Sequence, residues 1–194
     1  MQYRESAQPL LLLIDMQQGV DQPVWGPRNN PGAEQVVAGL LARWRAAGWP
    51  IIHVRHDSLE PGSTYRPGQP GHAFKPEAQP LPGEVVVAKS TNSAFVGTDL
   101  AQRLAEAGNP PLVVAGVSTS NSVEATVRMG GNLGYRIWLV ADACFTFDKT
   151  DWHGRLVPGE AVHALSLANM DGEYCRVINS RVLGGALKVG WQAG

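Results

Sequence analysis

Short apolar runs that alternate with helical segments constrain the fold of this chain more than any other feature of its sequence. The run PLLLLID at residues 9–15 has no polar position before its final aspartate. A short run without polar alternation is typical of a strand that is buried on both faces of a parallel sheet. Comparable runs recur along the chain and predict six strands, at residues 9–15, 50–56, 84–90, 111–116, 135–142 and 175–179.

Helical patterns fill most of the connections between these strands. Residues 32–48 carry Val37, Leu41 and Trp44 on one helical face, and a glycine ends the pattern. Further helices are predicted at residues 98–108, 122–134 and 160–170. This alternation predicts the α/β class, as a doubly wound, three-layer α/β/α architecture around a six-stranded parallel sheet. Because no linker or internal repeat is evident, we expect one domain over residues 1–194.

Polar segments interrupt the alternation where a substrate could enter. Residues 57–83 are rich in Pro, Gly, Ser and Gln, and their length predicts a lid or binding loop rather than a plain connector. Together with residues 18–31 and 144–158, this segment is expected to determine specificity. Aromatic residues in these segments are predicted to wall a substrate pocket, namely Trp25, Tyr65, Phe74, Phe145 and Trp152.

Chemically active side chains follow several of the predicted strands. The carboxyl ends of parallel strands meet at one edge of the sheet, where ligands bind. The residues that the sequence places at these ends are Asp15, His56, Lys89, the turn at residues 116–122 and Asp142. An acid, an ammonium group and a hydroxyl at one edge predict a hydrolytic site.

The turn GVSTSNS at residues 116–122 joins a buried strand to a helix. Such a turn presents backbone N–H groups at a helix N-terminus, where a developing anion is stabilised. Ser122 is either a nucleophile or a helix cap, and Thr119 and Asn121 compete for the capping role. An Asp–Lys pair in the same pocket can orient or activate a nucleophile.

Composition and spacing argue against several other functions. With 16 Lys and Arg against 17 Asp and Glu, the chain offers no electrostatic argument for nucleic acid or an anionic membrane. His53, His56 and Asp57 suggest a metal site, but strand alternation places the two histidines on opposite faces, so we expect no metal and no cofactor.

The expected location follows from the cysteine count and from hydropathy. The two cysteines, Cys144 and Cys175, are too few for a disulfide framework, which favours reduced thiols and a cytoplasmic location. No apolar run reaches the length of a transmembrane helix, and the first run is preceded by polar residues without a cleavable signal pattern.

Four sequence blocks, taken together, resemble the isochorismatase-like cysteine hydrolase family, over about residues 9 to 180. The blocks are LLLIDMQ (11–17), KSTNSAFVGTDL (89–100), GVSTSNSVEATVRMGGNLGY (116–135) and VADA (140–143). The segment FKPE (74–77) is similar to the amidase-type branch of the family.

The resemblance implies an Asp–Lys–Cys triad on a six-stranded parallel sheet, with Asp15, Lys89 and Ser122 at the three positions. In the amidase-type branch the thiolate attacks a carbonyl carbon, the aspartate takes and returns the proton, and turn amides hold the oxyanion. Here those amides are expected to be the backbone N–H groups of Ser118 and Ser122, beside a cis peptide at Val117–Ser118. The family is commonly oligomeric, so a homo-oligomer is expected, and the apolar tail residues Val182, Leu183 and Leu187 are candidates for its interface.

Serine in place of the cysteine is the departure from the family pattern, and it has three explanations. The chain carries a Cys→Ser replacement at position 122, which we favour because the surrounding residues are intact. Alternatively, it is a natural serine-bearing member. In the third explanation it resembles true isochorismatases, which hydrolyse a vinyl ether with the aspartate as general acid.

The expected function is hydrolysis of a C–N bond in a small amide, imide or ureido compound. Gln17, Phe74, Asn92 and Trp152 are the candidates for lining the substrate pocket. Two alternatives remain open, a vinyl-ether hydrolase and a catalytically inactive relative that binds its ligand without cleaving it.

Overall fold

A six-stranded parallel sheet forms the centre of the molecule in the computed structural model, which describes residues 8–189. The strand order is β3-β2-β1-β4-β5-β8, and every neighbouring pair is parallel. The predicted fold class is therefore confirmed. The strands of this sheet are β1 (Leu10–Ile14), β2 (Ile51–His56), β3 (Val85–Lys89), β4 (Leu112–Val117), β5 (Ile137–Phe145) and β8 (Arg176–Ile178).

Helices cover both faces of the sheet. They are α1 (Ala33–Ala47), α2 (Leu100–Glu106), α3 (Glu124–Asn132), α4 (Gly159–Met170) and α5 (Ser180–Val189). The connection through α1 runs from β1 towards the β3 edge, whereas those through α2, α3 and α4 run towards the β8 edge. Because such crossovers are right-handed, the two directions place α1 on one face and α2, α3 and α4 on the other.

The strand β1 occupies the middle of the sheet, between β2 and β4. All five of its side chains are buried, which explains why its sequence has no polar position. The direction of the connections reverses between β1 and β4, and this reversal creates the crevice in which ligands of doubly wound sheets bind. Asp15 directly follows β1 at this crevice.

The fifth strand extends further than the sequence predicted. It continues past residue 142 to Phe145, because Ala143, Cys144 and Phe145 remain buried after a shift of register against β4. The Asp142 carboxylate accepts hydrogen bonds from the N–H and the hydroxyl of Ser180, at 2.8 and 2.6 Å. Asp142 therefore holds the start of α5 and does not belong to the predicted site.

The segment after β5 contains a small hairpin that the sequence analysis described only as a polar loop. The antiparallel strands β6 (Lys149–Thr150) and β7 (Leu156–Val157) form it. The other polar segments contain short 3-10 turns, at Gln18–Asp21, Pro23–Trp25, Pro70–His72 and Pro76–Ala78. Of the described helices, none is long and apolar enough to cross a membrane.

The C-terminal helix α5 packs on its own chain. Leu183 is fully buried and Leu187 packs against the core, whereas Val182 is about half exposed. The sequence alone had suggested all three as candidates for a subunit interface. Two of them instead stabilise the fold of the single chain.

Gly116 allows β1 and β4 to approach each other closely beside the crevice. Its φ is +132°, and an added Cβ would lie 2.1 Å from the carbonyl oxygen of Ile14. No side chain can be accommodated at that distance. The glycine therefore fixes the spacing between the residue before Asp15 and the turn that follows β4.

We predict that Gly116→Ala lowers the free energy of unfolding by about 2–4 kcal/mol, through steric overlap with β1 and backbone strain. Urea-induced unfolding measures this change. The matched control is Gly39→Ala in α1, where an added Cβ has nothing within 4 Å. The control should gain up to about 1 kcal/mol. Equal stabilities of the two variants would contradict the role given to Gly116.

Candidate active site

Asp15, Lys89 and Ser122 meet at the crevice, as the sequence predicts. Asp15 follows β1, Lys89 ends β3, and Ser122 lies in the turn after β4. The Lys89 ammonium donates a hydrogen bond to Asp15 Oδ2 at 2.6 Å and to Ser122 Oγ at 3.3 Å. One cation thus contacts both the acid and the hydroxyl.

The Asp15–Lys89 ion pair is buried. The side chain of Lys89 has no exposed surface, and that of Asp15 is 6% exposed. Burial raises the pKa of the Asp15 carboxyl, while the charge and hydrogen bond of Lys89 and the nearby Ser122 hydroxyl act in the opposite direction. Asp15 Oδ1 has no hydrogen-bond partner among the described residues. A carboxyl group in this state is suited to exchanging protons with a bound molecule.

The backbone of Asp15 is also unusual. Its φ is +52°, in the left-handed region that non-glycine residues rarely occupy. Such conformations cluster at functional sites, where the surrounding structure enforces them. The close contact at Gly116 and the Lys89 ion pair supply that enforcement here.

Ser122 lies in a single turn of π-helix, Thr119–Val123, which precedes α3. The expected cis peptide is present at Val117–Ser118, directly before this turn. The Ser122 hydroxyl makes no capping hydrogen bond. Thr119 and Asn121 do not cap the helix either, because their side chains bond His163 and Lys149. The capping explanation for Ser122 is therefore wrong.

Side chains behind the turn hold it in place. The Thr146 hydroxyl lies 2.7 Å from Ser118 Oγ and 2.9 Å from Ser120 Oγ. His163 Nδ1 lies 2.9 Å from Thr119 Oγ1, and this contact is buried. Sequence reasoning missed Thr146 and His163, because neither belongs to a block that identifies the site.

A cavity of about 470 Å³ opens above these groups, within the usual range for small-molecule sites. Its floor consists of Asp15, Val117, Ser118 and Ser122. The predicted pocket residue Asn92 also lines the cavity, as does the neighbouring Thr91. The Lys89 side chain lies behind this floor and is not itself part of the lining.

Three aromatic rings contribute to the walls of the cavity. Trp25 and Tyr65 do so as predicted, and Phe147 was not foreseen. Phe145, which the sequence offered instead, is buried under the guanidinium group of Arg28, 4.0 Å from the ring centroid. The extension of β5 explains why Phe147, and not Phe145, lines the cavity, since it places Phe145 in the core.

The structure does not bring the other predicted pocket residues to the cavity. Trp152 is 97% exposed at the hairpin tip. Phe74 packs against the ring of His53, and Gln17 is fully buried. The Gln17 amide bonds the backbone of His56 and the carbonyl oxygen of His72, so it fastens the segment 57–83 to the end of β2.

His56, which the sequence places at the end of a strand and suggests as a metal ligand, also lines the cavity. Its Nδ1 lies 3.4 Å from Lys89 Nζ. Burial and the charge of Lys89 lower the pKa of His56, so its imidazole is neutral near pH 7. His53, on the other face, is buried against Glu84. Of the described residues, no group of three or more His, Cys, Asp and Glu side chains is arranged to hold a metal ion.

A buried charge cluster fixes the segments around the cavity to α1. Glu34 of α1 accepts two hydrogen bonds from Arg28 at 2.7 Å, and Lys75 lies 3.0 Å from the same carboxylate. Lys75 also bonds Asp21. The segments 18–31 and 57–83 are thus joined through one glutamate. Burial alone would raise the pKa of Glu34, but the hydrogen bonds from Arg28 and Lys75 lower it to about 2.

This lowered pKa predicts a loss of stability in acid. The unfolded chain takes up a proton at Glu34 near pH 4.5 and the folded chain only near pH 2, so the free energy of unfolding falls as the pH falls between these values. Glu34→Gln should flatten this part of the pH profile and lower stability at pH 7 by on the order of 2 kcal/mol.

Unfolding titrations from pH 2 to pH 7 measure the effect on stability. The matched control, Glu173→Gln, alters an exposed glutamate and should leave the profile unchanged. A Glu34→Gln profile parallel to that of the parent chain would refute the role of the cluster.

The fold and these side chains together define a class, that of doubly wound α/β proteins with an acid, a buried lysine and a hydroxyl at the crevice of a parallel sheet. Comparison with known proteins narrows the class. The sequence model of the isochorismatase domain matches residues 9–180. The chain therefore belongs to the isochorismatase family of hydrolases.

Individual relatives agree with this assignment. A crystal structure of an isochorismatase-family protein from Chromobacterium violaceum is 66% identical, with a TM-score of 0.91 over 97% of both chains. The uncharacterized isochorismatase family protein YrdC of Bacillus subtilis is 34% identical over 88% of this chain and 91% of its own length. Maleamate amidohydrolase of Pseudomonas putida is 34% identical over 88% of this chain and 82% of its own length.

Proposed function

We propose that the chain hydrolyses a C–N bond in a small amide, imide or ureido compound. The observation that carries the proposal is the contact of Lys89 with both Asp15 and Ser122 on the floor of the cavity. The similarity to maleamate amidohydrolase over most of both chains supports the same reaction class.

The first half of the reaction forms an acyl-enzyme. Asp15 takes the proton from the side chain of residue 122, which attacks the carbonyl carbon of the substrate. The negative charge that develops on the carbonyl oxygen is held by the backbone N–H groups of Ser118 and Ser122. The C–N bond then breaks, and Asp15 returns the proton to the departing nitrogen.

The second half releases the acid. A water molecule gives its proton to Asp15 and attacks the acyl carbon, and the bond to residue 122 breaks as its side chain recovers the proton. The sum is one amide and one water converted into one carboxylic acid and one amine. The ammonium group of Lys89 stabilises the carboxylate of Asp15 when that group is ionised.

The serine at position 122 lowers the expected rate. A free thiol has a pKa of about 8.5 and ionises far more readily than an alcohol, so an aspartate base suits cysteine better than serine. The resemblance of the surrounding sequence blocks to the cysteine hydrolases supports a thiol at this position. We therefore assign residue 122 as the nucleophile position and expect cysteine there to give much faster chemistry.

We predict that Ser122→Cys forms a covalent acyl adduct with a cleaved amide and raises turnover by about 10²-fold or more. Mass spectrometry of the intact protein, after incubation with a panel of primary amides, imides and ureido compounds, detects the adduct. Ser90→Cys places a thiol in the same cavity, at a side chain that makes no hydrogen bond to Asp15 or Lys89, and serves as the matched control. Adducts on both variants, or on neither, would contradict the assignment of position 122.

A vinyl-ether hydrolase is the second candidate, and the raised pKa of Asp15 favours it, because a protonated carboxyl can act as a general acid. In that reaction no nucleophile is needed at position 122. Hydrolysis of isochorismate that survives Ser122→Ala would identify this function.

The variant Asp15→Asn separates both enzymes from a relative that binds without cleaving. Either reaction requires proton transfer by Asp15, so this change should lower turnover by at least about 10²-fold. Steady-state kinetics, in the parent chain and in the Ser122→Cys variant, measure the loss, and circular dichroism checks that the protein is folded. If the Asp15→Asn variant retained its activity, Asp15 would have no place in the mechanism. If the parent chain shows no turnover and Asp15→Asn binds the same ligand as tightly as the parent chain, the inactive relative is favoured.

A further inference from the structure

One wall of the cavity is a continuous aromatic surface. The ring centroid of Trp25 lies 6.0 Å from that of Tyr65 and 5.6 Å from that of Phe147. Trp25 Nε1 donates a hydrogen bond to the carbonyl oxygen of Gly19 at 2.8 Å, which fixes the orientation of the indole. The wall is therefore ordered before a ligand arrives and offers ring faces to an apolar or cationic group.

Of the residues that the structure describes, those that line the cavity include acidic side chains but no lysine or arginine. The nearest cation, Lys89, is paired with Asp15 behind the floor. Arg55 is paired with Asp57, and Lys149 lies outside the lining, where it bonds the amide oxygen of Asn121. A carboxylate on a ligand would thus meet no cation among the described residues that line the cavity.

Glu60 adds an acidic group to the same cavity. It belongs to the segment 57–83, lines the cavity and is exposed to solvent. Among the described residues it forms no ion pair, and the neighbouring His56 is neutral near pH 7 because burial lowers its pKa. An acid beside aromatic faces is a favourable environment for an ammonium group.

We infer that the cavity selects carboxamides whose acyl part carries a ring and is neutral or positively charged, and that it rejects amides that carry a carboxylate. This inference rests on the proposed amide hydrolysis and specifies its substrate class. The ring of such a substrate packs on Trp25, Tyr65 and Phe147, and its amide lies over Ser122. A cationic group at the far end of the ring faces Glu60, whereas a carboxylate there is repelled.

The test uses three ligands that share the phenylacetamide group and differ in net charge. Phenylacetamide is neutral, 4-(aminomethyl)phenylacetamide is a cation, and 4-(carboxymethyl)phenylacetamide is an anion at pH 7. Isothermal titration calorimetry on the chain with Ser122 measures binding, since slow chemistry leaves the ligands intact. We expect the neutral and cationic amides to bind at least about fivefold more tightly than the anion.

Variants at position 60 test whether Glu60 causes the preference for cationic over anionic ligands. Glu60→Gln should weaken binding of the cation by about threefold and leave the neutral amide unchanged, and Glu60→Lys should bring the anion level with the cation. Glu77→Gln, in the same chain segment but outside the lining, is the matched control and should change none of the affinities.

Two results would overturn the inference, namely an anion that binds as tightly as the other two amides and no binding of any of the three at millimolar concentration. Neither result depends on the chemistry at residue 122. An acyl adduct of Ser122→Cys with some other amide would then leave the hydrolase proposal standing while the substrate class fails. Conversely, the expected order of affinities without any adduct would support the substrate class and count against hydrolysis.

Discussion

The buried ion pair between Lys89 and Asp15 is the interaction on which the site depends. Two charges removed from water lose their hydration, and only close mutual contact and further hydrogen bonds offset that loss. The 2.6 Å contact and a second bond from Lys89 to the carbonyl oxygen of Thr91 provide both. Removal of either partner would leave an isolated charge beneath the cavity. The chemistry and the stability of this region are therefore inseparable.

The rest of the fold brings the members of this pair together. Asp15 follows one of the two central strands, and the close approach at Gly116 sets the turn with Ser122 beside it. Much of the cavity wall comes instead from the polar segments 18–31 and 57–83, which Glu34 joins through Arg28 and Lys75. The edge of the sheet thus carries the candidate reactive groups, and separately fastened segments contribute to the wall around them.

The sequence predicted the parts of the site that are tied to regular structure. Asp15 and Lys89 directly follow or end apolar runs, so strand geometry alone places them at one edge of the sheet. Phe74, Gln17 and Trp152 lie in irregular segments, where composition does not determine which way a side chain points. Phe147 was missed because the end of β5 was predicted three residues too early, which a register shift against β4 explains. The single domain, the homo-oligomer and the cytoplasmic location stay predictions.

The position of Lys89 links the proposed catalysis to local motion of the sheet. It projects from β3, which stands at the border of the sheet and, in the described part of the chain, pairs only with β2. Border strands open more readily than central ones, since they have one hydrogen-bonded neighbour instead of two. When β3 opens, the ammonium group of Lys89 moves away from Asp15. The Asp15 carboxylate then either stays ionised without a counter-charge or takes up a proton. The proposed reaction would therefore depend on the opening equilibrium of a border strand, and not only on the groups that line the cavity.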